Sequence, residues 1–158
     1  MSHTRRPDRR RRKSAARLHA VQALYQMEQT GQTCDRVVRE FLDYRFGRPL
    51  EEGGEELAEA DADLFAALVE EAVNQQARID QMTNRALVAK WPIDRIDPTL
   101  RALFRAAGAE LVLAKTPPKV VISEFVDVAR AFFPEGREPK FVNAVLDHMA
   151  REAQPEAF

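Results

Sequence analysis

Apolar residues recur every three or four positions along almost the whole of this 158-residue chain. That period belongs to helices that bury one face. Strand-like alternation competes only at "KVVIS", residues 119–123, which is too short to seed a sheet. The spacing predicts an all-α fold of six or seven helices, with no internal repeat.

The first helix runs from Ala16 to Gln29, with Leu18, Val21, Leu24 and Tyr25 on its apolar stripe, and Gly31 ends it. A shorter one covers about Cys34 to Phe46 and turns Val37, Val38, Phe41 and Leu42 inward. Residues 47–63, with seven carboxylates and only Arg48 as a cation, read as a solvated acidic linker. They lack the Asp-x-Asp-x-Asp-Gly spacing of a calcium loop. Asp61 or Asp63 then starts a long helix to about Ile79, and a further one covers Asp80 to Ala89 before "KWPIDRIDPT" interrupts.

Asp97 followed by Pro98 is a start signal, an acceptor for the first free N–H groups and then a residue that has none. The helix that follows buries Leu100, Leu103, Phe104, Ala107 and Leu111 up to Leu113. Gly108 inside it costs about 1 kcal/mol relative to alanine and so points to a close helix crossing. Helices from Val120 to Phe132 and from Glu138 to Met149 complete the set.

Net charge is −1, yet the first 17 residues hold eight Lys or Arg against Asp8 alone. That is about +7, which leaves about −8 for the remainder. Segregation of this kind gives one end a strong positive field and points to an anionic partner. Residues 1–13 lack apolar periodicity and read as a disordered Arg-rich arm; residues 14–158 read as one domain, long enough to bury a core unaided.

The lone Cys34 excludes an intrachain disulfide, and the basic start lacks the apolar run of a secretory signal; cytoplasmic is the expectation. No stretch has the length of a membrane span. His3, His19 and His148 show no ligand spacing to one another or to Cys34, and no phosphate loop or nucleophile signature is present. No cofactor or metal is expected, and the chain reads as a binder.

Four blocks, "AARLHAVQALYQMEQTG", "IDRIDPTLRALFRAAGAEL", "PPKVVISEFVDVARAF" and "KFVNAVLDHMA", together resemble the NusB transcription antitermination factors, in the same order and spacing from about Arg12 to Ala150. The resemblance implies about seven helices in two packed three-helix subdomains. It implies pairing with the ribosomal protein NusE, binding of boxA single-stranded RNA in nascent transcripts of ribosomal RNA operons, and entry with other Nus factors into an elongating RNA polymerase complex. Two rival readings remain. One is a NusB-like domain related to ribosomal RNA cytosine methyltransferases, though the chain ends at Phe158 without room for the catalytic domain. The other is a protein-binding adaptor without RNA affinity. Monomer and homodimer are both open.

In that family the arginine-rich start and the start of the last helix contact RNA. Carried onto this chain, the RNA-binding candidates are Arg9, Arg10, Arg11, Arg12, Lys13 and Arg17, with Arg137, Lys140 and Phe141 at the last helix. Tyr25 matches an aromatic position toward NusE, and Leu100 and Arg101 are the further partner-contact candidates. Spacing alone also fits plain core packing for Tyr25 and Phe141. The chain departs from the family pattern at Pro139 (usually histidine), Ala144 (usually glycine), Arg137 (usually acidic) and Leu100 (commonly glutamate). Flexible cations beside an exposed ring would suit unstacked, phosphate-rich RNA.

Overall fold

The computed structural model of the chain describes residues 9–44, 60–87 and 96–158. Residues 1–8 of the expected arm, most of the expected acidic linker and the interruption before Ile96 lie outside the described residues. Seven α-helices account for nearly all of what is described: α1 (Arg9–Thr30), α2 (Cys34–Tyr44), α3 (Ala62–Asn74), α4 (Gln76–Leu87), α5 (Pro98–Leu113), α6 (Pro118–Phe132) and α7 (Glu138–Ala153), with a last 3₁₀ turn at Pro155–Ala157. No strand occurs among the described residues, and no described helix is long and apolar enough to cross a membrane.

Helices α1, α2 and α3 pack on one another as one group, and α5, α6 and α7 as a second. Helix α4 lies against α3, α5 and α7 and so joins the two. Helix α5 is the axis of the molecule: it touches α1, α3, α4, α6 and α7. Its start is the one the Asp97-Pro98 pair predicts, with Asp97 Oδ1 accepting from the Thr99 N–H at 2.7 Å. Phe41, Phe65, Phe104 and Phe125 are fully enclosed, and the rings of Phe41 and Phe65 stack at 5.4 Å between α2 and α3.

Two boundaries differ most from those the spacing predicts. The long helix expected from residue 61 to Ile79 is two helices broken at Gln75, so Ile79 belongs to α4. The Gln75 N–H closes α3 on the Glu71 carbonyl, while its own carbonyl accepts from the Ile79 N–H and opens α4. The apolar period runs through this break because both helices turn the same face to the core. Helix α1, in turn, begins at Arg9, so Arg9–Lys13 are helical where a disordered arm was expected. Arginine is a good helix former, and the Arg12 carbonyl accepts the Asp61 N–H at 3.0 Å, which ties this turn to the start of α3.

Gly108 is the close crossing that the sequence indicates. A Cβ there would stand 2.5 Å from Cγ2 of Ile79 and 3.3 Å from Cε of Met149, so α4 and α7 both press on α5 at this point. Gly108→Ala is therefore expected to destabilise the fold by about 1–2 kcal/mol, the overpacking cost exceeding the gain in helix propensity. Urea unfolding checks this; a more stable variant would show that the crossing has slack.

Candidate nucleic-acid interface

Arg9, Arg10 and Arg11 stand exposed on the first turn of α1, with Arg12 and Lys13 half-buried behind them. Cations at the positive end of a helix oppose its dipole, so this turn needs an anchor. Helix α6 supplies it. Glu124 accepts a hydrogen bond from Ser14 Oγ at 2.6 Å and lies 3.7 Å from the guanidinium of Arg10.

Arg17, expected among the RNA-binding cations, is 4% exposed and lies inside the molecule. Its Nε and Nη2 donate to the two oxygens of Glu110 at 2.8 and 2.7 Å, a forked pair, and its Nη1 donates to Glu124 at 3.1 Å. Thr116 Oγ1 adds a bond to Glu110 at 2.8 Å. Burial works against the charge on Arg17, but the hydrogen bonds and charges of Glu110 and Glu124 outweigh it and hold the guanidinium above its ordinary pKa. No phosphate can reach it. Sequence reasoning missed Glu110 and Glu124, although the signal was there. Glu110 falls seven residues after Leu103, and Glu124 three after Val121, both on core-facing stripes.

At the start of α7, Arg137 and Lys140 are exposed, with Arg137 at the N-cap position. Glu135 and Glu138 flank Arg137, so the turn is charge-balanced rather than cationic. Phe141 is half-buried: its ring meets Phe104 edge-on at 6.1 Å and packs against the core. It is a core-edge residue with an accessible margin, which combines the core packing that its spacing fits with a partly exposed ring.

The partner-contact candidates divide. Tyr25 is 40% exposed and walls a groove of about 440 Å³ floored by Val21, Phe41 and Phe132, with Thr99 on its rim. Leu100 is 7% exposed and belongs to the core, as its place on the α5 stripe requires; it cannot make a surface contact. Arg101 is committed to Glu28, with Nε 3.0 Å from Oε1. Arg105 bridges the same Glu28 to Asp80, at 3.0 and 2.9 Å, so this ion-pair chain links α1, α5 and α4.

The NusB family model matches residues 14–151. The chain belongs to the NusB family. The transcription antitermination protein NusB of Maricaulis maris is 48% identical over 152 residues, covering 96% of this chain and 93% of that protein. That of Caulobacter vibrioides is 48% identical over 143 residues, covering 90% and 94%. Among solved structures, a crystal structure of antitermination factors NusB and NusE in complex with dsRNA matches with a TM-score of 0.72 at 25% identity, covering 92% of this chain and 99% of that one. The solution structure of NusB from Aquifex aeolicus matches at 0.68 and 26%, covering 94% and 92%. The expected bundle of two three-helix groups is thus the NusB fold.

Two measurements follow from these pairings. Arg17→Met should cost about 3–5 kcal/mol in denaturant unfolding, because it strands two buried carboxylates; a surface cation would cost less than about 0.5 kcal/mol. Arg101's hydrogen bonds hold the Glu28 carboxylate below its ordinary pKa, against some desolvation. A lowered folded-state pKa gives stability that is present above the ordinary carboxylate value and lost as pH falls through the folded value. Glu28→Gln should therefore be less stable than the parent at pH 7, by no more than about 1 kcal/mol for so exposed a pair. The gap should close in acid, and a pH-independent gap would mean packing rather than charge.

Proposed function

We propose that this chain is an RNA-binding transcription antitermination factor that pairs with NusE, binds boxA RNA in nascent ribosomal RNA transcripts and joins the elongating RNA polymerase with other Nus factors in the cytoplasm. The observation that carries the reading is the cationic first turn of α1, Arg9 to Arg11, held in helical form on the core through Ser14 and Glu124. A preorganised cationic face spares RNA binding much of the entropy that ordering a free arm would cost. Its kinship supports the same role: the relatives bear the name of antitermination proteins, and a structural neighbour is a complex of NusB with NusE and dsRNA. The role is one of binding, not catalysis.

Lys140 and Arg137 at the start of α7 supply further phosphate contacts, and the margin of Phe141 offers a small apolar edge to a base. The groove beside Tyr25 is the surface offered to NusE, its apolar floor and amide-rich rim fitting a protein better than a polyanion. Two weak RNA sites on two linked proteins gain effective concentration, so the pair should bind tighter than either alone.

Titration of a labelled boxA oligonucleotide with the chain, with NusE and with both tests this reading. The mixture should bind more tightly than either component. Replacing Arg9, Arg10 and Arg11 together by glutamine should flatten the log–log salt slope by about 2, at about 0.7 per phosphate for single strands, with little change in melting temperature. Equal affinity of the mixture and the chain alone would remove NusE from the reading, and an unchanged slope would remove the α1 face.

A further inference from the structure

Between α6 and α7 runs a shallow groove of about 400 Å³ that none of the contacts above uses. Its floor is aliphatic, from Ile122 and Val126, each only 8% exposed. Its walls are polar: Ser123 on α6 and Asn143 on α7 both line it. Lys119 and Arg130 line it from opposite ends of α6, four and seven residues from Ser123. Asp147 also lines it but is paired with Arg151 at 3.0 Å, as Arg130 is with Asp127 at 2.7 Å. The side-chain charge left over is that of Lys119, joined one turn before Asn143 by Lys140.

We propose that this groove takes single-stranded RNA and carries it along α6 toward the first turn of α7. The inference rests on the RNA-binding role proposed above and extends it to residues outside the α1 face and the α7 turn. Three features favour nucleic acid over a protein segment. The floor offers two nearly covered aliphatic side chains and no aromatic ring, whereas the core of a protein interface is rich in aromatics and poor in charge. An amide and a hydroxyl on its walls supply donors and acceptors in the mixed pattern that base edges and the 2′-hydroxyl present. The groove also lies between the helix that anchors the α1 face and the helix that carries Lys140. Glu124, the residue after Ser123, anchors the α1 face, and Lys140 precedes Asn143 by one turn. Lys119 then bonds a phosphate, and Ser123 and Asn143 meet sugar or base.

The test uses the full chain, alone and with NusE, and a labelled boxA oligonucleotide at several salt concentrations. Lys119 and Asn143 are exposed, so their alanine variants should fold and melt like the parent. Lys119→Ala should weaken binding and flatten the salt slope by about 0.7, the loss of one phosphate contact. Asn143→Ala should weaken binding about fivefold with the slope unchanged, since a neutral hydrogen bond releases no counterion. Parental affinity and slope in both variants would overturn the groove while leaving the wider reading intact, provided that the Arg9–Arg11 replacement still weakens binding. Loss of NusE binding with RNA binding by the chain alone unchanged would make the groove a protein surface and overturn the proposal. Absence of RNA binding by the parent, with and without NusE, would overturn both.

Discussion

One buried cation holds the two helix groups in register. Arg17 reaches from α1 into the second group and meets a carboxylate on α5 and another on α6, at 2.7 and 3.1 Å. A guanidinium suits this place because its planar fork binds one carboxylate through two nitrogens and still has a donor for a second. Two carboxylates against one buried arginine leave an excess negative charge. Arg10 stands at the open side of Glu124 to offset it. The cationic surface of α1 and the anionic pair beneath it are thus one electrostatic unit.

Around that unit the packing is ordered by α5. Alanines at 102, 106, 107 and 109 and the bare backbone of Gly108 let its neighbours approach closely, and Ile79 and Met149 close over it. Because α4 and α7 meet the same point of α5, the start of α7 is fixed relative to α1 through rigid contacts rather than through a loop. The cationic turn at residues 9–11 and the charged turn at residues 137–140 therefore keep a constant spacing, as a ligand that spans both requires.

Much of this was legible in the sequence. Asp97-Pro98 marks the start of α5 because capping chemistry is local, and Gly108 marks a crossing because glycine in a helix needs a reason. The break at Gln75 was not legible: no glycine or proline marks it, and it exists because α4 must turn to reach α5 and α7. Arg17 was misread because the resemblance grouped it with the basic block before it, although its place four residues before Val21 and seven before Leu24 puts it on the buried stripe. Its partners lie 93 and 107 residues away, where only the tertiary fold could reveal them. Leu100 shows the opposite error. Its own spacing predicted burial, and the comparison with a family position that commonly holds glutamate drew attention to a surface contact that the fold does not allow.

Three arginines at the electropositive end of a helix repel one another and the peptide dipoles beneath them. Dissolved ions screen that repulsion within about 8–10 Å at ordinary ionic strength. Added salt should then firm the first turn of α1 against fraying, while the same ions compete with phosphate for the same guanidinium groups. Ionic strength acts on these residues with opposite signs, tightening the unliganded helix as it loosens the grip on a polyanion. The turn is under greatest internal stress in dilute buffer, where a bound phosphate relieves it most.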